Sequence, residues 1–161
     1  MNPHSLKDLY DRQLDDLYDA EQRSVKALPA MERSAGSAEL IAAFRGQQAR
    51  AREHLLRLAS LFRSAGRVPG RRASRGIKSL LRDCQDGCKL DEPAVRDVRL
   101  IALAQHLHHD EIASYGCARS WAKLLGNDFA ADVLQRNLND EKQIDTELSR
   151  IAGRVNRSAA R

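Results

Sequence analysis

The sequence is poor in aromatic residues and in cysteine. Its 161 residues include one Trp, three Tyr, three Phe and three Cys. An odd cysteine count without a CxxC pair argues against a disulfide framework and favours reduced thiols. Cys84 and Cys88 are four residues apart, which could place two thiolates on one helical face. Two soft ligands without a second pair are usually small buried side chains, so this spacing does not by itself predict a metal site.

Long apolar runs are also absent. No stretch is long enough to cross a bilayer, and the opening MNPHSLKDLYDRQLDDLYDAEQ carries charges every few residues and no apolar segment of a signal peptide. We therefore expect a cytoplasmic protein that has no membrane partner.

Positive charge is in modest excess, with 27 Lys and Arg against 22 Asp and Glu and a net charge of +5. The basic residues concentrate in GRVPGRRASRGIKSLLR (66–82) and RIAGRVNRSAAR (150–161). Basic clusters attract polyanions, but no aromatic residues alternate with these arginines as a stacking platform for single strands requires. We expect a solvated loop and tail, with nucleic-acid binding that is weak and non-specific at most.

Four long segments repeat apolar residues at spacings of three and four, as amphipathic helices do. They span about 5–33, 38–65, 93–125 and 128–152. Signals for helix starts and ends are Ser37, Gly66, Pro93 and Gly126. A short amphipathic piece at 77–84 lies in the connection between the second and third segments. Two helix pairs joined by a long connection predict an all-α, ferritin-like four-helix bundle with one crossover. We expect one domain over residues 1–156 and a basic tail over 157–161.

Three of the four stripes carry an acid among their apolar residues: Glu21, Glu111 and Glu141. An isolated charge in a protein core is expensive to desolvate, so inward carboxylates need partners. A single inward Glu is more often half-exposed or paired with Arg or Lys. One explanation covers all three, because carboxylates and histidines on facing helices of such bundles bind a pair of metal ions.

The segment HLHHDEIASYG (106–116) supplies further ligand atoms. His108 precedes Glu111 by one turn, His54 lies on the flank of the second stripe, and Asp145 follows Glu141 by one turn. Taken singly, each histidine is more often a hydrogen-bonded interior residue than a ligand. His106 and His109 fall off the stripe and are expected to face solvent. The candidate metal ligands are therefore Glu21, His54, His108, Glu111, Glu141 and Asp145.

Four stretches carry a resemblance to a known family: LYDAEQRSVKALPAM (17–31), IALAQHLHHDEIASYG (101–116), SWAKLLGND (120–128) and LNDEKQIDTELSRIA (138–152). They resemble the YciE/YciF-type ferritin-like family of bacterial proteins associated with stress, over residues 6–156. The resemblance implies a four-helix bundle, a homodimer, and a carboxylate site in the core that suits iron or another divalent metal.

The sequence departs from the family pattern at two places. Members have an acidic pair on the second helix followed by His, whereas this chain reads QQARAREH, with Ala49 and Arg50 at the acidic positions and His54 kept. On the third helix His108 stands where members have Glu. Fewer carboxylates leave less negative charge for a di-iron pair, and Arg50 adds a positive charge. The alternatives to a di-metal centre are one zinc or iron ion held by Glu21, His54, His108 and Glu111, or no bound metal.

Three functions follow from these observations. The first is a stress-associated ferritin-like protein with a degenerate carboxylate and histidine site and weak metal-dependent peroxide or oxygen chemistry. The second is a non-enzymatic, metal-free dimeric structural or interaction bundle whose acids pair with Arg50 and other cations. The third is a polyanion-binding protein that uses the basic crossover. The sequence does not decide between enzyme and structural protein, and it identifies neither a substrate nor a metal.

Overall fold

Five α-helices build the described part of the chain. The computed structural model describes residues 3–70 and 75–160, and its helices are α1 (Leu6–Ser34), α2 (Ala38–Ser64), α3 (Arg75–Gly87), α4 (Pro93–Leu124) and α5 (Asp128–Ala159). The described residues contain no β-strand, and the all-α prediction is confirmed. None of these helices combines the length and the apolar character that a membrane span requires.

Local sequence signals set the helix ends. Ser37 Oγ accepts a hydrogen bond from Leu40 N at 3.2 Å, which caps one of the free amides at the start of α2. Pro93 occupies the first turn of α4, where its missing N–H costs nothing. Gly66 and Gly126 adopt φ of 63° and 72°, the left-handed conformation that closes a helix and that glycine adopts without strain. These four positions were predicted from the sequence and are confirmed.

The helices pack as two antiparallel pairs, α1 with α2 and α4 with α5, and the crossover carries α3 across α1 and α4. A buried carboxylate, Asp97, connects the two pairs, because it accepts hydrogen bonds of 2.7 Å from the amides of Gly36 and Ser37 in the α1–α2 turn. The start of α4 therefore lies beside the end of α1, so α2 and α4 run in the same direction. This order is the predicted bundle with one crossover.

Two apolar clusters occupy opposite halves of the bundle. One includes Leu28, Phe44, Leu100 and Ile151, and the other includes Leu14, Phe62, Ala118 and Leu134. Between them lies a layer of fully buried polar side chains: Glu21, Ser24, Gln47, His54, His108, Glu111, Asn137 and Glu141. Such a layer is stable only when its members satisfy one another, which makes it the candidate functional site.

Two helices differ from their predicted form. Helix α5 continues to Ala159, seven residues beyond the predicted end, because Val155 remains buried and prolongs the stripe. It therefore includes the first residues of the predicted basic tail. The inward face of α2 is rotated by about one residue, so that Gln47 rather than Gln48 is buried and His54 lies at the centre of the face rather than on its flank.

Candidate metal centre

Carboxylates and imidazoles alternate through the middle of the bundle. His54 Nδ1 lies 2.8 Å from Glu21 Oε1 and 3.3 Å from Glu141 Oε1. His108 Nδ1 lies 2.6 Å from Glu141 Oε2 and 3.5 Å from Glu111 Oε2. Glu141 is thus shared, with one oxygen directed to each histidine. The prediction that Glu21, Glu111 and Glu141 approach one another inside the bundle is confirmed.

The shared position of Glu141 controls the charges of the layer. Burial by itself lowers the pKa of His54, but hydrogen bonds to Glu141 and Glu21 outweigh it and raise that pKa to about 10. For His108 the attraction of Glu141 likewise outweighs burial, and its pKa is also about 10. Burial raises the pKa of Glu141, but the attraction and hydrogen bonds of both histidines lower it to about 2. At neutral pH two imidazolium groups therefore flank an ionised Glu141.

The outer two carboxylates are less strongly compensated. Burial raises the pKa of Glu111 well above its usual range, and the negative charges of Glu141 and Glu21 raise it further. Burial also raises the pKa of Glu21, although the hydrogen bond from His54 opposes the change. The layer thus contains three carboxyl groups but only two imidazolium cations. Additional positive charge would therefore stabilise Glu111 in its ionised form.

Both histidines are oriented by an acceptor on the far side of the ring. His54 Nε2 lies 3.2 Å from Asp140 Oδ2, and His108 Nε2 lies 3.1 Å from Gln47 Oε1. A proton on each Nε2 satisfies these contacts. When a histidine loses its Nδ1 proton, the lone pair of Nδ1 is therefore directed at the carboxylates. Metal-binding histidines typically donate their other N–H to a carboxylate or carbonyl in this manner.

Further polar groups hold the carboxylates of α1 and α4. Tyr115 Oη donates a hydrogen bond to Glu21 Oε1 at 2.6 Å and accepts one from Asn137 Nδ2 at 3.1 Å. Ser24 Oγ donates to Glu111 Oε1 at 3.5 Å. Burial raises the pKa of Tyr115 well above its usual value, so its hydroxyl stays protonated and remains a donor. These contacts restrict the rotation of Glu21 and Glu111.

Five of the six predicted ligands meet in this layer, and the sixth does not. Asp145 is half-buried on the outer flank of α5, where it accepts a hydrogen bond from Gln105 at 3.1 Å and lies 3.3 Å from His109 Nε2. It follows Glu141 by four residues, but Ile144 rather than Asp145 continues the buried stripe. His106 and His109 are exposed, as expected.

Arg50 does not pair with the three buried glutamates. Its Nη1 donates to Gln143 Oε1 at 3.0 Å and lies 3.7 Å from Asp140 Oδ1, on the rim between α2 and α5. Arg50 therefore lies on the rim and away from the two ligand groups, because the inward face of α2 presents residues 47, 51 and 54. The histidines supply the compensating positive charge for the core acids instead.

The basic crossover is only partly described. Arg67 packs over the Phe62 ring and forms ion pairs with Asp11 and Asp15 at 3.0 and 3.2 Å. Its guanidinium is therefore occupied within the chain. The arginines at 71 and 72 and the side chain of the arginine at 75 lie outside the described residues.

The donor chemistry of the layer fits two divalent ions. Two groups each place their ligand atoms within 4.8 Å of one another: Glu21, His54 and Glu141, and His108, Glu111 and Glu141. Each group offers one imidazole nitrogen and two carboxylate oxygens, a set that suits iron, zinc or manganese. Cys84 and Cys88 belong to neither group. Burial raises the pKa of Cys84 to about 12, so its side chain remains a thiol.

Sequence reasoning missed the residues that orient the ligands. Gln47 precedes His54 by two helical turns, and Asn137 precedes Glu141 by one, so both could have been found as polar residues on an inward stripe. Asp140 gave no such signal, because it lies beside the stripe and contacts His54 across the α2–α5 interface. That contact depends on the register of two helices that are distant in sequence.

Comparison with known proteins agrees with this architecture. The family model described as domain of unknown function DUF892 matches residues 5–160. Protein YciF of Escherichia coli K12 is 30% identical over 162 residues, which cover 99% of this chain and 98% of YciF. The crystal structure of this E. coli stress protein superposes with a TM-score of 0.91 at 28% identity, covering 95% of this chain and 98% of the other.

Two further solved structures share the fold. YcfI from Rhodopseudomonas palustris gives a TM-score of 0.87 at 31% identity and covers 91% of this chain and 94% of its own. A ferritin-like, diiron-carboxylate protein from Bacillus anthracis strain Ames gives a TM-score of 0.71 at 16% identity, covering 94% and 99% of the two chains. At that identity the likeness establishes the fold alone, which is the ferritin-like bundle.

The chain carries an incomplete version of the ligand set of di-metal bundles. Such bundles supply one Glu from each of two helices and a Glu-x-x-His motif from each of the other two. Here Glu21 and Glu111 lie on α1 and α4. Helix α2 has His54, but Ala51 stands where the motif has Glu. Helix α5 has Glu141, but Ile144 stands where the motif has His. His108 adds an imidazole. The bundle thus keeps three carboxylates and two histidines.

Proposed function

The chain belongs to the DUF892 family, and we propose that its bundle core binds two divalent metal ions, iron above all, on either side of Glu141. The observation that carries this proposal is the division of one carboxylate between two histidines, with Oε1 directed to His54 and Oε2 to His108. A carboxylate that belongs to two nitrogen and oxygen donor groups is an arrangement that would suit a pair of transition-metal ions.

The residues of the layer take distinct parts in this function. Glu21 and His54 would complete one ion's ligands, and His108 and Glu111 would complete the other's. Ion binding would displace the Nδ1 proton of each histidine, while the Nε2 protons would stay directed at their acceptors and keep both rings in place. The neighbouring apolar clusters exclude bulk water, which strengthens every charge interaction inside the layer.

The reaction we assign to the loaded protein is slow reduction of hydrogen peroxide. Two ferrous ions held there would supply the two electrons and become ferric, and two protons from solvent would complete the conversion of hydrogen peroxide to two water molecules. The missing carboxylate at Ala51 leaves one ligand fewer than a full di-iron site, so we expect weaker iron affinity and slower peroxide reduction by the ferrous protein than a complete set would give.

Metal content and peroxide consumption test this function together. Protein purified without chelator and titrated anaerobically with ferrous ion should bind two equivalents per chain and then consume peroxide. The Glu141→Gln variant should lose both properties, and Glu147→Gln, an exposed acid on the same helix, should retain them. Absence of iron binding by the wild type, or equal peroxide consumption by Glu141→Gln and the wild type, would contradict the proposal.

A metal-free structural bundle is the second candidate. It is favoured by two short hydrogen bonds of the layer, because His54 and His108 each have a carboxylate within 2.8 Å without an ion. If this candidate is correct, saturating ferrous, manganous or zinc ion will not change the unfolding midpoint. The two-ion proposal expects a large rise, because a ligand that binds only the folded state stabilises it.

Several sequence-based expectations stay predictions beside this proposal. They are an association with stress, a cytoplasmic location and a homodimer. Nucleic-acid binding is expected to be weak and non-specific at most, which is supported by the engagement of Arg67 with Asp11 and Asp15.

A further inference from the structure

A cavity of about 160 Å³ opens between α1 and α4, beside the first turns of α3. Its outer part is lined by Asp16 and Asp110, its side by Ser114 and by the buried Ile77 of α3, and its inner wall by Glu111. The volume accommodates several water molecules. The cavity therefore connects the surface to a residue of the candidate metal centre.

The inner wall is the important feature of this cavity. Glu111 is only 2% exposed and its Oε2 lies 3.5 Å from His108 Nδ1. A cation that passes between α1 and α4 thus meets a carboxylate that already belongs to one of the two ligand groups. Polar groups line the way inward, so exchange of hydration water for protein oxygen can proceed in steps.

The opposite face of the bundle is unsuited to cation entry. There Asp140 covers His54 Nε2 at 3.2 Å and is itself held by two guanidinium groups, at 2.6 Å by Arg57 and at 3.7 Å by Arg50. The two guanidinium groups compensate the Asp140 carboxylate, so this rim does not attract a divalent ion as an uncompensated carboxylate would. The apolar clusters fill the bundle above and below the layer, which leaves no polar path along its axis within the described residues.

We propose that the cavity bounded by Asp16, Asp110, Ser114 and Glu111 is the entry route through which divalent cations reach the bundle core. This inference rests on the proposed function. In this arrangement the Asp110 carboxylate attracts cations at the mouth, and Glu111 receives the ion first and transfers it toward His108 and Glu141. Such focusing raises association rates more than it raises affinity.

Narrowing the route is the direct test, with Co²⁺ as the probe because its visible absorption reports protein ligation. In Ser114→Leu, one turn from Glu111, we expect stopped-flow loading of Co²⁺ to slow at least fivefold. Release into excess chelator should slow by a similar factor, so that the equilibrium Kd stays within about twofold. Unchanged loading and release rates in a variant that still binds Co²⁺ would overturn the entry route and leave the metal centre intact.

A charge variant provides an independent test that does not alter cavity shape. Asp110→Asn should slow loading at least twofold at low ionic strength, and the difference should disappear at about 0.5 M salt. Glu53→Gln is the matched control, since Glu53 also precedes a proposed ligand in sequence but is exposed on the opposite side of the bundle. Equal slowing in both variants would contradict the route. If the wild type binds no Co²⁺, the proposed function and this inference fail together.

Discussion

Gln47 and His108 meet in the bundle core, where Gln47 Oε1 lies 3.1 Å from His108 Nε2. An amide oxygen only accepts hydrogen bonds, so this contact keeps a proton on Nε2 and leaves Nδ1 to face Glu141 and Glu111. Gln47 thereby determines which nitrogen of His108 is available to an ion, although its own side chain offers no negative charge.

Replacing Gln47 by Leu should weaken metal binding about 10- to 100-fold, because His108 then loses the acceptor that orients its ring. Titration calorimetry with Mn²⁺ measures the change. Gln48→Leu, on the neighbouring and partly exposed position, is the control and should bind as the wild type does. If the two variants have equal affinity, the orientation of His108 does not depend on Gln47.

The metal-free protein should become less stable as pH rises from about 6.5 to about 9. His54 and His108 have pKa values of about 10 in the folded chain against an ordinary value near 6.5. Their stabilisation is complete below the unfolded value and is lost as pH rises toward the folded one. The raised pKa of Glu111 acts in the same direction. Urea unfolding in excess chelator at several pH values measures this trend, and a free energy of unfolding that increases over the range would refute it.

Saturating metal provides the control for the pH prediction. Each bound ion replaces one Nδ1 proton, so metal affinity and the stability that it confers rise with pH over the same interval. The rise in metal affinity should therefore offset the falling stability of the metal-free protein, and the stability of the metal-saturated protein should be nearly independent of pH over this interval. Parallel slopes would show that the ions bind away from His54 and His108.

Restoring a carboxylate at position 51 should tighten metal binding. Ala51 is buried and precedes His54 by three residues, so Ala51→Glu recreates the Glu-x-x-His arrangement on α2. We expect affinity to rise at least tenfold in the same calorimetric titration. Arg50→Glu changes the net charge by two units rather than one, but position 50 lies on the rim. Its affinity for the metal should therefore rise no more than threefold. Equal gains from the two variants would mean that charge rather than ligation determines affinity.

Loss of the Tyr115 hydroxyl should destabilise the fold. Tyr115→Phe removes the donor to Glu21 Oε1 and leaves Asn137 Nδ2 without its acceptor, which should cost about 1–3 kcal/mol in the free energy of unfolding. Tyr18→Phe is the control, because Tyr18 is only partly buried and packs edge-on against the Phe62 ring. Urea unfolding of both variants at one pH measures the difference. An equal decrease in the free energy of unfolding of the two variants would contradict the role assigned to Tyr115.

The helices and their order could be predicted because each long helix repeats apolar residues at spacings of three and four over seven or more turns. An error at one position then matters little, and the signals at Ser37, Gly66, Pro93 and Gly126 define most of the boundaries. The phase of α2 was harder to establish, since Ile41, Leu55 and Leu56 widen its apolar arc and make a stripe through Gln48 as plausible as one through Gln47. That one-residue rotation is why His54 was expected on the flank of the stripe, whereas it lies at the centre of the inward face.

The ligand set was predictable as residues but not as geometry. Glu21, Glu111 and Glu141 were found because an inward acid requires a partner. The division of Glu141 between two histidines depends on the relative heights of α2, α4 and α5, which a single sequence does not specify. Asp145 was included because it lies one turn from Glu141, yet an offset of four residues on α5 leads to the flank, where Asp145 contacts Gln105 and His109.

The central claim is that two ions share Glu141, and an anomalous-difference map at the iron edge tests it most directly. Crystals of protein loaded anaerobically with ferrous ion should show two peaks per chain, one between Glu141 and His54 and one between Glu141 and His108. A map with no peak in the bundle core, or with iron only at surface carboxylates, would contradict the account.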